Sequence, residues 1–89
     1  MEVRKAIALI KRQDIEKVII NSRLSKLNSY EKTKHNLEDI LINDSNKVEI
    51  ILSDKIIEIP ENNINQVVCE ATYVVFYEEM RVILFNFKY

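Results

Sequence analysis

Apolar residues crowd the end of the chain. From Ala71 to Phe87 the order Ala-Thr-Tyr-Val-Val-Phe-Tyr-Glu-Glu-Met-Arg-Val-Ile-Leu-Phe-Asn-Phe is the longest β-branched and aromatic run in the sequence. Such residues suit a pleated strand and lose side-chain freedom in a helix. The pattern predicts two strands, 72–77 and 81–87, joined by a turn at Glu78, Glu79 and Met80. A loop of two residues or of four gives the same pairing. Val82 then lies opposite Tyr77, Leu84 opposite Val75 and Asn86 opposite Tyr73. On the other side Ile83 lies opposite Phe76, Phe85 opposite Val74 and Phe87 opposite Thr72. A loop of three would exchange the faces of the last strand. Both faces are largely apolar, so both need a cover.

The rest of the chain is read from its periodicity. Residues 2–11 fit a helix, with Val3, Ile7 and Ile10 on one stripe, and also an alternating strand; Ala6, Ala8 and Leu9 tip the reading to helix. Asp14 resembles an N-cap, and a second helix is expected over 15–27, burying Ile15, Val18 and Ile19 on one side and Ile20, Leu24 and Leu27 on another. Ser29 then caps a third helix over 30–43 with Leu37, Ile40 and Leu41 buried, unless one bent helix runs through Asn28. Asn43-Asp-Ser-Asn46 reads as a loop. Strands are expected at 47–52 and 56–59, with Ser53, Asp54 and Lys55 turning between them, Leu52 opposite Ile57 and Ile50 opposite Ile59. Pro60 ends the second of these strands, and Asn62 or Asn63 caps a short helical segment over 64–70. The expected fold is α+β: a single domain, 1–89, of N-terminal helices packed on a small antiparallel sheet of about four strands.

Composition changes this picture chiefly by exclusion. The 89 residues contain no glycine. Phosphate-cradling and dinucleotide-binding loops need a backbone without Cβ, so those nucleotide-binding classes are excluded, and the turns fall to Asn, Asp and Ser. No apolar run approaches the ~18 residues of a membrane span. The N-terminus is broken by Lys11 and Arg12 and lacks a small-residue cleavage site, which argues against a secretion signal. With a single cysteine, Cys69, no internal disulfide can form, and a cytoplasmic protein without membrane attachment is expected. The wealth of Ile, Asn and Lys points to an AT-rich coding sequence, as in low-GC bacteria and their phages and plasmids.

Charge is unevenly spread. Residues 1–36 carry nine Lys/Arg against four Asp/Glu, and residues 37–89 carry four against ten. The halves can complement one another, within one chain or across a dimer, or the basic half can meet nucleic acid. The densest basic cluster is Arg4, Lys5, Lys11 and Arg12, with Lys17, Arg23 and Lys26 beyond it. Phosphate contact needs only such charges on one face. No aromatic residue is interleaved for base stacking, and no helix-turn-helix pattern is clear.

Catalytic candidates are thin. His35, the single histidine, falls on the polar face of the expected third helix, with Glu31 and Asp39 one turn away, and reads as a solvated side chain. Cys69 lies in Val67-Val-Cys-Glu-Ala71, an apolar setting that raises a thiol pKa, so it reads as a small hydrophobe. The acid pairs Glu78-Glu79 and Glu58…Glu61 fall at a turn and a strand end, where carboxylates are usually solvated. One His and one Cys do not make a structural zinc site. No catalytic, cofactor or metal residue is assigned. Tyr73, Val75, Tyr77, Val82 and Leu84 share one face of the terminal hairpin and form the candidate partner interface, since tyrosine offers an apolar ring with a polar tip. The expected function is that of a small non-catalytic regulator, inhibitor or adaptor acting by protein–protein binding as a homodimer. The alternative is a DNA-binding regulator using basic N-terminal helices.

Overall fold

A computed structural model describes residues 2–24 and 29–88. One helix, α1 (Val3–Lys11), is followed by eight strands: β1 (Ile15–Leu24), β2 (Ser29–His35), β3 (Leu37–Ile42), β4 (Lys47–Leu52), β5 (Ile56–Pro60), β6 (Ile64–Cys69), β7 (Tyr73–Glu78) and β8 (Arg81–Phe87). A single 3-10 turn, Glu61–Asn63, precedes β6. Every strand pairing is antiparallel. The strands form a five-stranded sheet in the order β2-β1-β8-β7-β6 and a three-stranded sheet in the order β3-β4-β5.

The terminal hairpin folds in the register its alternation dictates. Tyr77 pairs with Val82, Val75 with Leu84 and Tyr73 with Asn86, while Phe76 pairs with Ile83 and Val74 with Phe85. Phe76, Ile83, Val74 and Phe85 are fully buried. The rings of Phe76 and Phe85 meet edge to face, with centroids 5.2 Å apart, an arrangement that sets the positive ring edge against the negative ring face. These residues belong to one core together with Val18 and Ile20 of β1, Val48 and Ile50 of β4, and Ala6, Ile7 and Ile10 of α1. The core is therefore drawn from both sheets and the helix, and it lies against one face of the five-stranded sheet.

The antiparallel α+β character is as expected, but strands far outnumber the four anticipated, and one helix stands where several were. Residues 15–24 form a strand, not a helix. Val18, Ile19 and Ile20 are consecutive β-branched residues that crowd a helical turn, whereas in a strand they alternate, with Val18 and Ile20 entering the core. The expected helix over 30–43 is likewise two strands, β2 and β3. In β2 the sequence Tyr-Glu-Lys-Thr-Lys-His alternates Tyr30, Lys32 and Lys34 with Glu31, Thr33 and His35, and it gains a full ladder with β1. Asp14 is no cap; its carbonyl accepts the N–H of Lys88 at 2.8 Å. Ser29 lies within β2 and opens no helix. The end of the second expected helix, 25–27, and the expected bend at Asn28 lie outside the described residues. The segment 64–70 is strand β6 over most of its length. It can pair with β7, a gain no isolated short helix could match.

The β4–β5 hairpin keeps its expected faces in a register shifted by two residues: Ile57 pairs with Ile50 and Ile59 with Val48. An even shift leaves the inward set unchanged, so Val48, Ile50, Leu52, Ile57 and Ile59 are all buried. Without glycine, the β3–β4 turn places Asn46 in the left-handed region, φ 58°, where Asn is among the few residues tolerated. The Asn43 carboxamide oxygen accepts the N–H groups of Ser45 and Lys47 at 2.9 and 3.2 Å and closes that turn.

Candidate functional site

The opposite face of the five-stranded sheet carries the candidate site. Since Val18 and Ile20 of β1 point into the core, Lys17, Ile19, Asn21 and Arg23 point out. The ladders place one row across all five strands: Lys34, Ile19, Leu84, Val75 and Val68. A second row runs Lys32, Asn21, Val82, Tyr77 and Gln66. The candidate interface residues Tyr73, Val75, Tyr77, Val82 and Leu84 thus all lie on this outer face. Tyr73, Val82 and Leu84 are half-buried, and Tyr77 is 38% exposed. Val75 is 6% exposed yet stands outside the core cluster. Its neighbours on this face are Val68 and Leu84 across the ladders, and Tyr73 and Tyr77 two residues away along the strand. Ile19 and Val68, both half-buried, extend the apolar strip to neighbouring strands. Sequence reading missed both, because it placed them in helices; the signal was the alternation around each.

Charge on this face is divided. Lys17, Arg23, Lys32 and Lys34 stand on β1 and β2, beside Tyr30, which is 74% exposed. Lys17 donates to the Asn36 carboxamide at 2.7 Å. Arg23, Lys32 and Lys34 have no ion pair among the described residues. The acids lie on the far side: Glu70 follows Val68 by two residues at the end of β6, and Glu79 follows Tyr77 by two at the β7–β8 turn. Neither has an ion pair among the described residues. Glu78 is different, being held by the Arg81 guanidinium through two bonds of 2.8 and 3.2 Å.

The N-terminal basic cluster is not a free patch. Arg4 pairs with Glu61 at 3.1 Å, Lys5 with Glu2 at 3.8 Å and Lys11 with Asp39 at 3.7 Å. Arg12 alone of the cluster has no ion pair among the described residues. Of the other described bases without an ion pair, Lys17, Arg23, Lys32 and Lys34 stand on the β1–β2 hairpin, while Lys55 and Lys88 lie elsewhere. Of the remaining paired acids, Glu58 meets Lys47 at 3.4 Å.

His35 is not a solvated helical side chain. It lies in β2, 8% exposed, because it shares the inward face of the strand with Thr33. Glu31 and Asp39 are not its partners. Nδ1 lies 2.9 and 3.0 Å from the two carboxylate oxygens of Asp54, and Nε2 lies 2.8 Å from Thr33 Oγ1. An ionised carboxylate only accepts, so Nδ1 donates to Asp54, and Nε2 shares the second hydrogen bond with the Thr33 hydroxyl. The His35 hydrogen bond holds the Asp54 carboxyl below its ordinary pKa. The connectivity is that of a hydroxyl–imidazole–carboxylate relay. Its setting is that of a strut: the imidazole is packed at the sheet edge, and Asp54 lies in the β4–β5 turn. The Ser53 N–H also donates to the Asn36 carbonyl at 3.0 Å. Together these bonds fasten the edge of the five-stranded sheet to the three-stranded one.

Cys69 packs against the core, and burial pushes its thiol pKa up, away from nucleophilic use. A cleft of about 490 Å3 opens between the end of α1 and β3, with Lys11, Asp14, Glu38, Asp39 and Lys88 in its walls; its charges are mixed and it includes no His or Cys. Among the described residues no group of three His, Cys, Asp or Glu is placed to hold a metal, and no helix is long and apolar enough to cross a membrane. No family model, curated protein or solved structure matches the chain, so its function is argued from the outer sheet face.

Proposed function

We propose that this chain is a non-catalytic binding protein, a regulator or adaptor, whose protein partner seats on the outer face of the five-stranded sheet. One observation carries the reading: an apolar strip of Ile19, Leu84, Val75, Val82 and Val68, with Tyr73 and Tyr77, faces away from the core, and among the described residues no element lies over it. A continuous apolar patch rimmed by polar residues is the usual mark of an interface. The sheet measures about 24 Å across five strands and about 20 Å along them. Its flat footprint is about 480 Å2, against roughly 800 Å2 per partner for a standard interface, which suits a weak or transient association.

A second reading has an observation of its own. The sheet gathers Lys17, Arg23, Lys32 and Lys34 onto the same face as Tyr30, Tyr73 and Tyr77, a pairing of bases with aromatic rings that suits single-stranded nucleic acid. It is the weaker reading, because the middle of the face is aliphatic and the bases stand to one side of it. Duplex contact through basic N-terminal helices has less behind it: the described residues form one helix, and its three bases, Arg4, Lys5 and Lys11, are all ion-paired.

A photo-crosslinking amino acid placed at Tyr77, with the same group at Ile56 of β5 as control, tests the proposal in cells. Protein adducts at position 77 and none at 56 are expected, a second copy of the chain counting as a protein. Adducts to nucleic acid would transfer the face to the second reading. Absence of adducts at 77, or equal adducts at both sites, would contradict it.

A further inference from the structure

We infer that the occupant of the outer face is a second copy of this chain, related by a two-fold axis that runs parallel to the strands. This rests on the protein-binding reading above and names the partner. Face-to-face sheets pack with strands nearly aligned, so an isologous pair has two simple choices of axis within the interface. An axis across the strands sets β2 over the partner's β2, and Lys32 and Lys34 of each copy then meet the same lysines of the other. Like charges so placed oppose association. An axis along the strands sets β2 over the partner's β6 and β1 over its β7, leaving β8 on β8.

In that second arrangement every part of the face meets a suitable surface. The row Lys34–Ile19–Leu84–Val75–Val68 reads in reverse on the other copy, so Leu84 meets Leu84, Ile19 meets Val75 and the apolar strip covers itself. Asn21 lies over Tyr77 and Lys17 over Tyr73, where each tyrosine hydroxyl finds a polar neighbour. Lys34 lies over Val68, and Glu70, two residues or about 7 Å further along the chain and just beyond the end of β6, comes within its reach. Arg23 likewise comes to Glu79. On this face the unpaired bases Arg23, Lys32 and Lys34 and the unpaired acids Glu70 and Glu79 thus lie on opposite sides, as self-recognition through this axis requires. The same division explains a chain whose first 36 residues are basic and whose remainder is acidic.

Sedimentation equilibrium at tens of micromolar, with circular dichroism to check folding, tests the inference. Wild type is expected at twice the 10.5 kDa of one chain, and Leu84→Lys at the mass of one chain with its strand spectrum intact. Lys34→Glu and Glu70→Lys touch no core residue and keep the test open should Leu84→Lys fail to fold. Each is expected to weaken the dimer about fivefold to tenfold, since the two-fold axis repeats the mismatch, and the double variant is expected to recover most of the loss. A monomeric wild type overturns the inference, as does a folded Leu84→Lys that stays dimeric or a double variant no tighter than the singles. A monomer that still crosslinks through Tyr77 to a different protein leaves the binding face standing and removes only the second copy from it.

Discussion

Val75 lies directly opposite Leu84 on the outer side of the β7–β8 ladder, buried but apart from the core. One residue along each strand, Phe76 and Ile83 face the other way and are fully buried. The hairpin therefore presents two apolar surfaces, one closed by α1 and the three-stranded sheet and one on the outer face of the five-stranded sheet.

The inner surface sets stability. Phe85→Ala removes a ring that is 0% exposed and in contact with Phe76. A cost of about 3–5 kcal/mol is expected, out of a total of about 5–15 kcal/mol for a small domain. Chemical denaturation that finds less than about 1 kcal/mol would contradict this assignment of the core.

The outer surface is proposed to set association. Tyr77→Ala is expected to cost about 1 kcal/mol of folding stability and to weaken self-association by about 2 kcal/mol or more. Thermal melts and sizing run on the same samples separate the two effects. A Tyr77→Ala protein that unfolds, beside a Phe85→Ala protein that melts like wild type, would invert the faces.

The sequence made one half of this molecule legible and disguised the other. Strands rich in Val, Ile and Phe between polar turns, such as β4, β7 and β8, announce themselves by alternation. β1 reads as a helix because Ile15, Val18 and Ile19 also fit a helical stripe, and because Asp14 resembles a cap. The β-branched trio Val18-Ile19-Ile20 argued against that helix on the same grounds that favoured strand for Val74 to Tyr77. β2 was harder: Tyr-Glu-Lys-Thr-Lys-His is charged and polar, and it holds its place as an edge strand by pairing with β1. The terminal-hairpin part of the outer face could therefore be read from local pairing alone. Its basic flank and the His35–Asp54 bond could not, because both depend on contacts between residues 19 positions apart or more.

The β3–β4 turn gives a backbone test. Asn46 is held at φ 58° while its N–H donates to the Asn43 carbonyl and its carbonyl accepts from Glu61. Asn46→Val is expected to destabilise by about 1–2 kcal/mol, and Asn46→Gly by no more than a few tenths. Equal melting temperatures for the Val and Gly variants would show that this conformation is not required.

The sheet-to-sheet strut gives a pH test. The His35 bond depresses the folded-state pKa of Asp54, so its stabilisation is fully present above the ordinary carboxylate range. It is lost as pH falls through that range towards the depressed value, since the unfolded chain takes up the proton first. Asp54→Asn is expected to melt below wild type at pH 7, and the gap is expected to close as pH falls below about 4. A gap that stays constant with pH would mean that the carboxylate charge contributes nothing to the strut.

The central claim is that the outer face is covered in solution, and methyl NMR with a soluble paramagnetic agent reads that cover directly. The methyls of Ile19, Leu84, Val82 and Val68 are the reporters, with Ile56, 61% exposed on β5, as the open reference. The account predicts that the reporters are shielded from the agent at high protein concentration and become accessible on dilution, while Ile56 stays accessible throughout. Reporter methyls that relax as the half-buried surface of a lone chain should, unchanged over the whole concentration range, would contradict it.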